Sequence, residues 1–73
     1  MDDIDNGRIS LDARKLKNLR RNLGFSQQHM SDICYTQQLY ISLSSIKRAE
    51  LGKKVLYRTA RELAVFYGVT VPI

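Results

Sequence analysis

The stretch "SSIKRAELGKK", Ser44 to Lys54, predicts a short amphipathic helix that ends abruptly. On a helical wheel Ile46 and Ala49 lie on one side, and the basic residues lie on the other. Gly52 follows the pattern, where many helices end in a left-handed residue. Four cations surround this short element: Lys47, Arg48, Lys53 and Lys54. Their mutual repulsion weakens the fold unless something outside the chain neutralises them.

The charge of the whole chain points in the same direction. The 73 residues carry twelve Lys and Arg against seven Asp and Glu, a formal net charge of +5. Three of the acids lie in the first five residues, so from Arg8 onward the net charge is +8. A small folded body with this excess attracts polyanions, and nucleic acid is the commonest of them. The alternative that charge alone leaves open is a basic surface that is merely solvated.

Length and composition predict one small soluble domain. A chain of 73 residues buries only about 60% of the surface that its unfolded form exposes. No apolar run approaches the length of a membrane span, and the acidic start differs from a signal peptide. The single cysteine, Cys34, excludes an internal disulfide and favours a reducing compartment. We therefore expect a cytoplasmic protein with no membrane partner.

Helical spacing of apolar residues predicts an all-α domain over residues 10–73, preceded by a polar, loosely ordered arm over residues 1–9. Ser10, Ser26 and Ser42 are the expected N-caps of three helices. The third helix should span residues 42–51, and a fourth follows in "RTARELAVFYGV". No run of alternating β-branched residues indicates a sheet. We expect a bundle of four helices, or five if another begins at the C-terminus. Residues 34–41 could either prolong the second helix or form a looped turn.

Two short helices joined through a turn, the second of them basic, suggest a helix-turn-helix unit. From about Leu16 to Val69 the chain resembles the helix-turn-helix domains of the Cro and phage-repressor type, the XRE family. The residues that carry the resemblance are Leu23-Gly24-Phe25, Ser26-Gln27, Ile41-Ser42, Ile46, Glu50-Leu51-Gly52 and "LAVFYGV" at 63–69. The resemblance implies a lambda-repressor-like fold whose recognition helix, about 42–51, binds in the major groove of double-stranded DNA.

The resemblance also implies roles for individual residues. The positions that would reach base edges are Leu43, Ser44, Lys47 and Arg48, and an Arg there can pair with guanine O6 and N7. Leu43 stands where family members commonly have a polar residue that contacts a base. It could touch a thymine methyl group or pack within the protein, and we favour packing. Arg20 and Glu50 match a buried ion pair that ties the first helix to the recognition helix.

Contacts to DNA phosphates are expected on both sides of the recognition helix. Gln27 matches a residue that binds a phosphate or braces a base contact, and Ser42, Lys53 and Lys54 are further phosphate candidates. The hydroxyl of Tyr57 either binds a phosphate or covers the rim of the core. The basic first helix offers three more cations for backbone contacts: Arg14, Lys17 and Arg21. One departure from the family stands out, because the segment from Ser31 to Ile41 is about five residues longer than is usual.

The function expected from these residues is that of a sequence-specific DNA-binding transcriptional regulator, bacterial or from a phage. Such domains generally bind as two-fold dimers on half-sites about 34 Å apart. The ending "VTVPI" favours the N-terminal part of a larger regulator. The alternative is a protein-interaction module, such as an antitoxin or adaptor, with Leu39, Tyr40 and Leu51 as its docking patch. No catalytic, cofactor or metal-ligand pattern is present, since His29 and Cys34 are isolated, so we expect no enzyme.

Overall fold

The computed structural model describes residues 4–5, 7–71 and 73 of the chain. Within these residues the protein is a small, mostly helical domain with four helices and a three-stranded sheet of two-residue strands. The elements in chain order are β1 (Ile4–Asp5), β2 (Arg8–Ile9), α1 (Ala13–Asn22), α2 (Gln27–Thr36), α3 (Leu43–Glu50), β3 (Val55–Leu56) and α4 (Tyr57–Tyr67).

Helix α1 begins later than the sequence predicted. Its N-cap is Asp12, whose carboxylate accepts a hydrogen bond from the Lys15 backbone N–H at 3.1 Å. The expectation that Ser10 caps this helix was therefore wrong. Asp and Ser cap equally well, and the burial of Leu11 in the core decides between them. Leu11 precedes the cap and Leu16 lies in the second turn, the spacing at which two apolar residues fix the entry of a chain into a helix.

The caps of α2 and α3 are the predicted ones. The Ser26 hydroxyl accepts from the His29 backbone N–H at 3.0 Å, and the Ser42 hydroxyl accepts from that of Ser45 at 3.1 Å. Helix α2 ends at Thr36 and a turn follows, in which Gln38 has a positive φ of 61°. The open question over residues 34–41 is thus resolved as a short extension of α2 and then a turn.

Gly52, which was predicted to end the third helix, and the glycines that follow α1 and α4 all adopt the left-handed conformation. Gly24 and Gly52 have φ values of 77°, and Gly68 has a φ of 69°. Gly52 follows Leu51, the C-cap of α3, and its N–H donates to the Ala49 carbonyl at 3.1 Å. This turn directs the chain away from α3 and into Lys53 and Lys54.

A small three-stranded sheet, which the sequence did not indicate, accompanies the four predicted helices of this mostly helical domain. Strand β2 lies between β1 and β3, and both pairings are antiparallel, with Ile9 opposite Val55. Ile9 and Val55 are both buried. The strands escaped prediction because two residues are too few to show alternation, and because β2 and β3 are far apart in the sequence although they pair in the sheet.

The same sheet includes Ile4–Asp5 and Arg8–Ile9, which lie in the segment that the sequence assigned to a loosely ordered arm. Ile4–Asp5 and Arg8–Ile9 form a hairpin, and the Gly7 carbonyl accepts a hydrogen bond from the Tyr57 backbone N–H at 2.8 Å. Gly7, which lies between the two strands, has a positive φ of 74°. Residues 1–3 and 6 lie outside the described residues. At the other end, residues 69–71 and 73 are not helical, so no fifth helix begins there.

The core surrounds α3. Its buried residues come from every helix and from two of the strands: Ile9, Leu11, Leu16, Met30, Cys34, Ile41, Ile46, Ala49, Val55, Ala60, Leu63, Ala64 and Ile73. Cys34 is fully buried, and the Tyr67 hydroxyl donates to the Met30 sulfur at 2.9 Å. Burial raises the pKa of both Cys34 and Tyr67. None of the described helices has the length and apolar character needed to cross a membrane.

Candidate nucleic-acid interface

Helix α3 has one buried face and one exposed basic face. Ile46 and Ala49 are only 1% exposed, whereas Ser44, Lys47 and Arg48 are exposed. This division follows the helical wheel of the sequence. Leu43 is half-buried at the start of the helix, a position that is consistent with packing and with contact to a ligand. The basic face is therefore available to a partner along the length of α3.

A buried ion pair fixes α3 against α1. The Arg20 Nε lies 2.7 Å from Glu50 Oε2, and its Nη2 donates to Oε1 at 2.8 Å. Arg20 Nη1 also donates to the Phe25 carbonyl at 2.9 Å, so the same guanidinium holds the turn between α1 and α2. The pair implied by the family resemblance is thus present, with bidentate geometry, which is the strongest arrangement for such a contact.

The environment of Glu50 keeps it ionised. Burial acts to raise the pKa of its carboxyl, but hydrogen bonds from Arg20 and Gln27 outweigh burial and hold the pKa below its ordinary value. The hydrogen bond with Glu50 holds the pKa of Arg20 above its ordinary value. Both groups are charged at neutral pH, and no side-chain nitrogen or oxygen buried among the described residues lacks a partner.

Gln27 belongs to this network. Its Nε2 donates to Glu50 Oε1 at 3.1 Å, and the side chain is half-buried. In this structure the Gln27 amide supports the end of α3 through Glu50. Of the two roles expected for Gln27, this contact resembles bracing rather than phosphate binding. A phosphate contact from Gln27 stays a prediction.

Arg48 connects α3 to the loop that follows. Its Nε and Nη2 donate to the Lys54 carbonyl at 3.3 and 3.0 Å. A guanidinium has five N–H groups, and no further acceptor for Arg48 is found in the described part of the chain. The side chain is exposed but held in place, so it is positioned on the basic face rather than free to sample solvent.

The remaining predicted contacts lie around the two ends of α3. The Ser42 hydroxyl is engaged at the cap, where it also contacts Ser44 Oγ at 3.1 Å and Ser45 Oγ at 3.0 Å. Lys53 and Lys54 are exposed directly after the helix, and Tyr57 is exposed at the start of α4. All the predicted site residues except Arg20, Glu50 and the half-buried Gln27 and Leu43 are thus exposed on or near α3.

Two clefts flank α3, and both are basic. The first, which we call the α1–α3 cleft, is lined by Lys17, Arg20, Arg21, Gln27, Lys47, Glu50 and Leu51. The second, which we call the α3–β3 cleft, is lined by Arg8, Ser45, Arg48, Lys54, Val55, Leu56 and Thr59. On the wheel of α3, Ser44 lies between the two sets of lining residues.

Exposed acids are absent from both clefts as far as the described residues extend. Glu50 is the one carboxylate that lines either cleft, and it is buried and paired with Arg20. Asp12 and Asp32 lie on other surfaces, and Glu62 is engaged by the Tyr40 backbone N–H. Positive charge therefore predominates in the two clefts beside α3, although Arg14, Lys15 and Arg58 line other clefts.

Arg8 is the residue of this face that the sequence did not predict. It was assigned to the loosely ordered arm, and strand pairing instead brings it to the α3–β3 cleft. Nothing in the local sequence around Arg8 indicates that it would lie in the α3–β3 cleft. Arg14, which was expected to add a backbone contact, lines a different cleft with Asp12 and Lys15.

The docking patch considered as an alternative is not one surface. Tyr35 and Tyr40 are 84% and 77% exposed and line a third cleft with the half-buried Leu39. Leu51 is 68% exposed, but it lines the α1–α3 cleft instead. An aromatic patch therefore exists beside the start of α3, and Leu51 is not part of it.

No site for a metal is found within the described residues, where no group of three or more His, Cys, Asp or Glu side chains comes together. His29 is exposed and lies edge-on to the Phe25 ring, with the ring centroids 4.9 Å apart. Comparison of the chain with protein-family models, curated proteins and solved structures finds no match.

Proposed function

We propose that this domain binds double-stranded DNA sequence-specifically and acts as a transcriptional regulator, with α3 as the recognition helix of a lambda-repressor-like helix-turn-helix fold. The observation that carries the proposal is the concentration of cations in the clefts on both sides of α3. The helix exposes Lys47 and Arg48, basic clefts lie on both sides of it, and its acid is neutralised by Arg20.

The dimensions of α3 suit this role. An α-helix with its side chains is about 10–12 Å across, and the major groove of B-DNA is about 12 Å wide. Phosphate contacts on either side fix the register and orientation of such a helix in the groove. The flanking clefts supply cations for such contacts, with Lys17 and Arg21 on one side and Lys54 on the other.

The residues assigned to base edges are Ser44, Lys47 and Arg48, with Leu43 at the start of the helix. Ser44 lies at the centre of the exposed face, and Lys47 and Arg48 lie to either side of it. The N–H groups of Arg48 that do not bind the Lys54 carbonyl are those offered to guanine. Lys53 and Lys54 are assigned to phosphates, which fix the register of the helix without reading sequence.

An NMR titration of isotope-labelled protein with a short duplex of random sequence tests the proposal. Shifts should concentrate on residues 42–48, on Lys53 and Lys54, and on Lys17 and Arg21, and they should fade as salt is added, since phosphate contacts release counterions. Residues 58–67 of α4 are the internal control. An unchanged spectrum at low salt would contradict DNA binding.

A protein-interaction module is the second candidate, and the exposed Tyr35 and Tyr40 favour it. Aromatic residues are enriched at protein interfaces, and a patch of this kind beside a basic face suits a protein partner. The same titration separates the two functions. If the domain is a protein-interaction module, the duplex should cause no salt-dependent shifts on α3. Its binding to a protein partner through the apolar patch should not depend steeply on salt.

A further inference from the structure

The turn that joins α2 to α3 is closed mainly by its own backbone. The N–H groups of residues 37–39 donate to carbonyls in the last turn of α2, and that of Ile41 donates to the Leu39 carbonyl at 3.0 Å. Tyr40 is the exception within this turn, because its N–H donates to the carboxylate of Glu62 on α4. This hydrogen bond therefore ties the turn to a helix that is distant in the sequence.

The Tyr40 contact lies next to the start of α3. Ile41 follows Tyr40 and is buried in the core, and Ser42 comes next as the N-cap of α3. A turn of several residues has many conformations and does not by itself fix the direction of the helix that follows it. Glu62 thus holds the N-terminal end of α3 to α4, just as Glu50 holds its C-terminal end to α1.

The surroundings of Glu62 suit it to hold a backbone N–H. Its side chain is 17% exposed, and its second carboxylate oxygen, Oε2, lies 3.9 Å from Nε of the exposed Arg58. An exposed ion pair at this separation contributes little, whereas a hydrogen bond from an N–H to a charged acceptor is among the stronger ones. The contact with Tyr40, rather than the pair with Arg58, is therefore the main interaction of Glu62.

We propose that Glu62 is a positioning residue of the DNA interface, because its contact with Tyr40 orients the start of α3 and thereby decides which base edge Ser44 reaches. This inference rests on the proposed function of α3. Glu62 lines neither of the two clefts beside α3, so it acts through the turn and not by touching DNA. Arg48 lies nearer the other end of α3, where the buried ion pair holds the helix and the Lys54 carbonyl holds the guanidinium. Loss of the Tyr40 contact should therefore disturb the base pair that Ser44 contacts more than the one that Arg48 contacts.

The test compares Glu62→Ala with Glu62→Gln in competition binding against duplexes varied at each position. Both variants remove the same charge and the ion pair with Arg58, but only Gln keeps an oxygen that can accept from the Tyr40 N–H. The base pairs that Ser44 and Arg48 contact are identified with Ser44→Ala and Arg48→Ala. A mismatch at a contacted base pair weakens binding about 5- to 150-fold. In Glu62→Ala this ratio should fall toward one at the Ser44 base pair and hold at the Arg48 base pair, whereas Glu62→Gln should keep both.

Hydrogen exchange of the Tyr40 amide measures the contact without DNA. Exchange should be slow in the wild type and in Glu62→Gln, and faster in Glu62→Ala, because a hydrogen-bonded N–H is protected. If Glu62→Ala does not fold, Glu62→Asp takes its place in both measurements, since it keeps the charge but shortens the side chain by one methylene group.

Three results would contradict the role of Glu62. Equal exchange rates of the Tyr40 amide in the wild type and in Glu62→Ala would overturn the inference, while wild-type affinity for the duplex would leave DNA binding standing. Equal loss of discrimination at the two base pairs, or no loss at the Ser44 base pair, would also overturn it. A wild-type protein that binds no duplex at low salt would overturn both proposals.

Discussion

Glu50 is the residue on which the position of α3 depends. It accepts hydrogen bonds from Arg20 of α1 and Gln27 of α2, and Arg20 in turn holds the Phe25 carbonyl. A buried pair of this kind adds little net stability when complete, because desolvation offsets the attraction, but loss of one partner strands the other charge. Its value here is geometric, since it fixes the end of the basic helix relative to the two helices behind it.

Replacement of Glu50 by Ala should lower the free energy of unfolding by about 3–5 kcal/mol, because Arg20 would remain buried without its counter-charge. Chemical denaturation monitored by circular dichroism gives this value. Asp32→Ala is the matched control, since Asp32 is exposed and accepts only from the Gln28 side chain; its effect should stay within about 0.5 kcal/mol. Equal stabilities of the two variants would contradict a buried pair.

The lowered pKa of Glu50 makes the fold less stable in acid. An unfolded Glu has a pKa of about 4.3, so the contribution of Glu50 is complete above that pH and is lost as the pH falls through the lower folded-state pKa. From about pH 5 to about pH 3, the wild type should lose more stability than Glu50→Gln, which has no carboxyl at this position. Parallel losses in the two proteins would show that Glu50 titrates normally.

Arg48 is expected to combine sequence reading with a structural contact. Arg48→Ala should cost about 1–3 kcal/mol on a preferred sequence and relax discrimination at one base pair. Arg48→Lys is the informative second variant, because it keeps the positive charge but loses the planar guanidinium that can donate two hydrogen bonds to guanine. Competition binding against duplexes varied at each position measures both effects. A loss that is the same on every sequence would mean that Arg48 contacts only phosphate.

At the scale of elements, the hairpin of β1 and β2 belongs to the domain rather than to an arm. Ile9 is 4% exposed and joins the core, and β2 pairs with β3 directly after the α3 loop. Strands of two residues gain little from pairing alone, so the buried side chain supplies most of their stability. The hairpin in turn supports the loop that carries Lys53 and Lys54.

Ile9→Ala should therefore destabilise the domain by about 2–5 kcal/mol, as is usual for removal of a buried Ile side chain. The thermal midpoint and the denaturation curve measure this cost. Ser10→Ala is a suitable control, because Ser10 is exposed and does not cap α1. If residues 1–9 were a loose arm, both variants would unfold like the wild type.

At the scale of the whole molecule, cations are concentrated in the two clefts beside α3. The clefts on either side of α3 hold Lys17, Arg21 and Lys47 on one side and Arg8, Arg48 and Lys54 on the other. Such a field concentrates polyanions at one surface and speeds their association. It also makes affinity depend on ionic strength rather than on apolar area.

If about five of these cations meet phosphates, the logarithm of the association constant should fall with the logarithm of salt at a slope of about −4.5. The affinity would then fall on the order of 500-fold between 50 and 200 mM salt. Fluorescence anisotropy with a labelled duplex gives the slope directly. A slope near zero would exclude a phosphate interface and favour the aromatic patch of Tyr35 and Tyr40 as the functional surface.

The sequence by itself determined the local features of this protein. The Ser26 and Ser42 caps, the glycine stops and the division of α3 into apolar and basic faces all follow from interactions within a few residues of one another. The Arg20–Glu50 pair was implied by a resemblance in motif order. Tertiary structure alone decided the rest: Asp12 caps α1 because Leu11 is buried, and Arg8 lines the α3–β3 cleft because β2 pairs with β3. These outcomes depend on contacts between distant segments, which no local pattern encodes.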